Sequence, residues 1–103
     1  MFDESQLFQI EWDEDKASSN ARKHGIGFEQ ACTVFHDPQL LTAADLEHSE
    51  TEERWFSVGC ASNGALISVV YIWSDRDPAV VKIRIISARK ATQAERRQYE
   101  EGI

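Results

Sequence analysis

Val81, Ile83 and Ile85 alternate with Lys82, Arg84 and Ile86, and the alternation stops at Ser87-Ala88-Arg89-Lys90-Ala91. A period of two belongs to a strand, with successive side chains on opposite faces. One face of this strand is wholly apolar and must be buried; the other begins with two cations. Thr92 and Glu95 then make a T-x-x-E capping box, the signature of a helix start. Few chains can satisfy both demands: the strand must lie in a sheet whose apolar side is covered, and a helix must leave at its end. Residues 81–100 also hold six of the eleven Lys and Arg residues. Guanidinium groups grip phosphate as a fork and helix N-termini add amide donors, so this strand-to-helix junction can hold an anion. Equally, Arg84 and Arg89 can pair with acids elsewhere in an acid-rich chain.

The elements before that junction follow from the same kind of signal. Phe8, Ile10 and Trp12 alternate with Gln9 and Glu11, which predicts a short first strand after a frayed start over residues 1–7. Asp13 is a good N-cap for a helix over residues 14–24, whose thin stripe of Ala17, Ala21 and His24 marks it as a surface helix, and Gly25 is the expected stop. Gly27 opens a second helix with Phe28, Ala31, Cys32 and Phe35 on one side, ended by His36-Asp37-Pro38. Leu40 to Thr42 predicts a short strand, and the acidic stretch 43–53 a mobile loop. From Arg54 the pattern is β. Arg54, Phe56, Val58 and Cys60 share a face, Asn63-Gly64 is a hairpin signal, residues 65–73 are apolar on both faces and hence central, and residues 74–78 turn the chain into the 80–88 strand. The expectation is a single α+β domain over residues 1–103: a mainly antiparallel sheet with two N-terminal helices and one C-terminal helix.

Charge is unevenly spread. Residues 1–53 carry 3 cations and 13 acids, residues 54–103 carry 8 cations and 5 acids, and the chain totals −7. A basic half beside an acidic half suits a local phosphate site and suits self-neutralisation equally. No apolar run approaches the roughly 20 residues of a membrane span. The acidic start MFDESQ does not read as a signal or transit peptide. Cys32 and Cys60 fit no metal or redox spacing and read as reduced core thiols, with a single disulfide between them as the alternative; His24, His36 and His48 lie 12 residues apart, which puts no two on one helical face. No metal or other cofactor is expected.

Trp12-Asp13-Glu14, Lys16, Asn20, Lys23-His24-Gly25-Ile26 and Phe28, then Glu53-Arg54 before a strand ending at Gly59, then Arg84-Ile85-Ile86-Ser87-Ala88-Arg89, Ala91, Glu95-Arg96 and Tyr99, taken in order, resemble the motifs of the BrnT toxins. The resemblance runs over residues 10–101. It implies a RelE-like fold and a metal-independent ribonuclease toxin that inhibits translation in the cytoplasm. It also implies a BrnA-type antitoxin carrying a ribbon-helix-helix DNA-binding domain, joined with the toxin in a heterotetramer that represses its own promoter. The toxin would meet promoter DNA only through that antitoxin. Against this pattern the chain is more acidic, and it carries extra residues at 74–79.

Metal-free RNA cleavage uses the ribose 2′-OH as nucleophile, and needs a base for that hydroxyl, an acid for the leaving 5′-oxygen, and cations around the phosphorane. Arg84 and Arg89 are the first choices for charge, with Arg54 on a neighbouring strand. Guanidinium stays protonated, so none of these is a general base. Lys23 can supply charge or a proton, and histidine, here His24, is the side chain that changes charge near neutral pH; both also suit a helix C-terminus without any further role. Glu53 can act as base or as the ion-pair partner of Arg54. Tyr99 can stack on a base or pack its helix onto the sheet. The alternative to an enzyme is a non-catalytic binding module, or a regulatory subunit that holds an acidic partner and contributes to promoter autorepression.

Overall fold

The computed structural model describes residues 7–45, 53–77 and 79–102. Strand β1 (Leu7–Trp12) leads into helix α1 (Glu14–His24) and the short helix α2 (Phe28–Cys32), which tightens into a 3-10 turn over Thr33–His36. Strands β2 (Leu41–Ala44), β3 (Arg54–Cys60), β4 (Leu66–Asp77) and β5 (Val80–Lys90) follow, and helix α3 (Gln93–Glu101) ends the chain. The strands form one sheet in the order β1-β5-β4-β3-β2. The β2, β3, β4 and β5 neighbours are antiparallel, and β1 lies parallel to β5. The sheet is therefore mixed, with β4 at its centre, as its two apolar faces require.

Local chemistry accounts for the helix ends. The Asp13 carboxylate accepts from the Asp15 and Lys16 amides, and Gly25 stops α1 in the left-handed region at φ 69°, where a side chain would be strained. Thr92 and Glu95 close their capping box reciprocally. In the β3–β4 hairpin the Asn63 side chain accepts from the Ala65 amide, and Ala61 N–H donates to the Ala65 carbonyl.

One face of the sheet is the core. Val81, Ile83 and Ile85 from β5, Ile67, Val69 and Tyr71 from β4, and Phe28, Ala31 and Val34 beneath them are all fully buried. Trp12 meets Phe28 edge-on, as Phe35 meets Tyr71. Burying the Tyr71 hydroxyl requires partners: it shares a hydrogen bond with Ser57, which shares another with Thr42. Gly59 is where the 3-10 turn touches the sheet; a Cβ there would lie 2.7 Å from Leu40 Cδ1 and 3.1 Å from Val34 Cβ. Beyond Trp12, β1 no longer covers β5, and Asn20 takes over. Its Nδ2 donates to the Ala88 and Ile26 carbonyls (2.8 and 3.1 Å), and its Oδ1 accepts from the Ala88 amide (3.0 Å). A side-chain amide thus continues the ladder where the strand has ended.

The other face is covered by α3 at one end only. Four expectations change. The predicted second helix is α-helical only to Cys32. The predicted turn at 74–78 is shorter, because β4 runs through Ser74 and on to Asp77 with Ser74 opposite Lys82 and Asp77 opposite Val80. Ser74 and Asp77 thus take cross-strand partners in place of a turn, with the register shifting between them. Residues 43–44 extend β2 out of the predicted loop; residues 46–52 of that loop and 1–6 of the predicted frayed start lie outside the described residues. Finally, Cys32 and Cys60 are free, but half-buried rather than in the core.

Candidate active site

Register decides which side chains meet on the open face. Glu11 pairs with Arg84, Arg84 with Ile72, and Ile72 with Arg54. Directly paired residues share a face, so these four form one row across β1, β5, β4 and β3. Arg84 sits between the buried Ile83 and Ile85 and is itself exposed, while Arg54 is half-buried. Two strand spacings separate them, about 10 Å between Cα atoms. Their long side chains can converge above Ile72. Among the described residues Arg84 makes no ion pair.

The next row is Ser87, Val70, Phe56 and Ala43, and the one after is Arg89, Ser68, Val58 and Leu41. Helix α3 closes over the last: Val58 and Ser68 are 0 % and 2 % exposed. Phe56, Val70 and Ile72, on the uncovered part, stay half-exposed. The open face is thus an apolar strip between cationic side chains.

Arg89 stands at the edge of α3 and is already engaged. Its Nη1 and Nη2 donate to the two Glu95 oxygens at 2.8 and 2.9 Å, a bidentate pair, and Nη1 also reaches the Lys90 carbonyl. The same Glu95 accepts from the Thr92 amide. Hydrogen bonding from Arg89 holds the Glu95 carboxyl below its usual range, and Glu95 raises Arg89 further in return. Of the two readings of Arg89, the ion pair is the observed one.

The remaining candidates do not join the row. Glu53 precedes Arg54, and its carbonyl accepts from the Trp73 amide. Strand alternation therefore sets its side chain toward the opposite side of the sheet from Arg54. Lys23 and His24 end α1 and line a cleft of about 160 Å³ against Ile86 and Ser87, together with Lys16, Ser19 and Asn20. Tyr99 packs α3: its hydroxyl donates to Asp37, which also accepts from the Cys60 and Gln39 amides. Burial pushes the Asp37 carboxyl up, and these three donors more than offset it, leaving it below its ordinary value. The bond to Asp37 pushes Tyr99 up to about 12.

Sequence reasoning missed Glu11 and Lys16. Glu11 enters the row only because β1 pairs with a strand some seventy residues away, which no local pattern reports. Lys16 carried a weak signal: it lies seven residues before Lys23, on the same side of a helix. Among the described residues, no three His, Cys, Asp or Glu side chains converge to hold a metal. No helix among them is long and apolar enough to cross a membrane.

Compared with models of known protein families, residues 12–95 match one described as the ribonuclease toxin BrnT of type II toxin–antitoxin systems. Among solved structures the chain is similar to the Brucella abortus ribonuclease toxin BrnT, determined at 1.1 Å. The TM-score is 0.60 and the identity 21 %, over 84 % of this chain and 100 % of that one. At that identity the likeness speaks for the fold. A search of curated proteins finds no match.

Proposed function

The chain belongs to the BrnT family of ribonuclease toxins of type II toxin–antitoxin systems, and on that premise we propose that it is a metal-independent endoribonuclease whose cleavage centre is the Glu11–Arg84–Ile72–Arg54 row. The observation that carries the reading is two arginines on one open sheet face, two strands apart, with an apolar strip between them. In this reading a single-stranded RNA lies along the strip, and Arg84 and Arg54 grip the scissile phosphate from either side. The ribose 2′-OH attacks the adjacent phosphorus in line with the 5′-oxygen, which leaves. The products are a 2′,3′-cyclic phosphate and a 5′-OH. The equatorial oxygens gain charge in the phosphorane, where fixed guanidinium donors contribute most. Glu11 is the described carboxylate in the row and the candidate base for the 2′-OH. Arg89, clamped by Glu95, fixes the entrance of α3 rather than the phosphate. Lys23 and His24 stand off this face, beside the irregularity in β5, and belong to a flanking cleft.

The fold is read as RelE-like, and the site of action as the cytoplasm, where translated RNA is found. Membership of a type II family implies an antitoxin. We assign it as BrnA-type, bound in a heterotetramer, with a segment that folds over Arg84, the apolar strip and the entrance of α3 and excludes RNA. The test is cleavage by purified protein in EDTA. RNA should be cut to cyclic-phosphate ends, and DNA should survive because it lacks the 2′-OH. Expression of the chain alone should arrest bacterial growth. Activity abolished by chelation and restored by magnesium or manganese would overturn the mechanism. Cleavage that persists in the presence of saturating antitoxin would overturn the assignment of the covered face.

A further inference from the structure

A second cationic feature lies off the sheet face. Helix α1 crosses the end of β5 that β1 leaves open, and Asn20 ties the two together through Ala88. Either side of Asn20 on the same helix stand Lys16 and Lys23, seven residues and about 10 Å apart along the axis. Opposite them the register of β5 against β4 shifts, between the pairs Tyr71–Ile85 and Val70–Ser87, so that Ile86 is extra and Ser87 comes to the cleft wall. The cleft has a volume of about 160 Å³ and its charged lining is Lys16 and Lys23, with His24 beside them and the Ser19 and Ser87 hydroxyls as further donors. Among the described residues no acid lines it, in a chain with 18 acids and 11 cations. Among the described residues neither lysine makes an ion pair.

Cations gathered without counter-ions repel one another, and like charges on one helix face destabilise it slightly. Here they are held around a cleft that a rigid side-chain amide shapes. At about 160 Å³ it is a size that suits one phosphate group and lies well below the roughly 300–1,000 Å³ of a pocket that buries a larger organic ligand. Ser87 lies three residues along β5 from Arg84, roughly 10 Å.

We propose that this cleft between α1 and the irregular end of β5 binds a backbone phosphate of single-stranded RNA, neighbouring the one held by Arg84 and Arg54, with Lys16 and Lys23 as its cations and Ser87 as a donor. The identity of the ligand as RNA rests on the ribonuclease reading. Arg84 and Arg54 then meet the scissile group, while the cleft sets the direction in which the strand leaves it.

The test reads binding without cleavage. A fluorescent 2′-O-methyl oligoribonucleotide, which offers no nucleophile, is titrated by anisotropy at 50–300 mM KCl. For single strands the logarithm of affinity falls with that of salt by about 0.7 per neutralised phosphate. The Lys16→Gln/Lys23→Gln double variant should lower that slope by about 0.7. Lys16→Arg/Lys23→Arg should keep it, as should Lys90→Gln, an exposed lysine outside the cleft. The lysines are exposed, so the variants should melt like the parent. An unchanged slope in the double Gln variant overturns the proposal, as does a loss of antitoxin binding at unchanged RNA slope, which would make the cleft a protein-docking site. Oligonucleotide binding with the expected slope change, in a protein that fails to cut unmodified RNA, would support the cleft and remove the ribonuclease reading.

Discussion

Replacing Asn20 should be among the most destabilising single changes in this protein, through the backbone groups its amide satisfies. It is 5 % exposed and makes three hydrogen bonds, two with the Ala88 backbone and one with the Ile26 carbonyl. Asn20→Ala would leave one N–H and two C=O groups buried without partners. An unsatisfied buried group costs roughly 1–3 kcal/mol. The space vacated can admit a water, which would serve two of the three groups. The expected loss is therefore about 2–4 kcal/mol, or roughly 8–32 °C in Tm at about 4–8 °C per kcal/mol for a domain near 100 residues. Asn20→Asp should be worse at neutral pH. It turns the Nδ2 donor into a charged acceptor facing two carbonyl oxygens. That carboxyl would have a raised folded pKa, so its penalty grows as pH rises above the unfolded value of about 3.9 and shrinks in acid, where a protonated oxygen can donate. Urea denaturation of both variants at pH 4 and pH 7 measures this. A loss under about 1 kcal/mol for Asn20→Ala, or an Asn20→Asp protein as stable as the parent at pH 7, would refute the view that this amide replaces a missing strand.

Arg84→Lys keeps one charge and loses the fork; single-turnover RNA cleavage should weaken by about 2–4 kcal/mol of transition-state stabilisation, with a melting temperature near the parent's because Arg84 is exposed. Undiminished cleavage would remove it from the site. Tyr99, raised to about 12 by its bond to Asp37, should add stability that is complete below its unfolded pKa near 10 and lost as pH rises through about 12. Tyr99→Phe should abolish that alkaline dependence, which a pH series of chemical denaturation would reveal. Ser68 Oγ is buried with no hydrogen-bond partner among the described residues, so Ser68→Ala should stabilise the protein by about 1 kcal/mol in urea denaturation; a loss of that size would mean the hydroxyl is satisfied after all.

Much of the fold was legible because its signals are local. The N-caps at Asp13 and Thr92, the stop at Gly25, the β3–β4 hairpin and the alternation of β5 each arise from interactions within a few residues, and each appears where the sequence points. The predicted turn at 74–78 failed because a strand long enough to meet β5 outweighs the turn preference of Ser74-Asp75-Arg76-Asp77. The candidate site was legible only in part. Arg84 and Arg54 were named from charge and strand position, and their convergence on one face follows from register, which is set by burying Tyr71 and Ile85 together. Arg89 was named for the same reason and is instead held by Glu95, six residues on, across a strand-to-helix junction whose geometry no periodicity describes. Glu53 sits beside Arg54 in sequence, and strand alternation turns it away from Arg54's face, whereas Glu11 is distant in sequence and shares the row. The sequence by itself determined that there is a buried strand with a basic face and a capped helix after it. Only the tertiary structure decided which charges share that face, because pairing between distant strands is chosen by the core they bury together and not by the polar residues that ride on their other side.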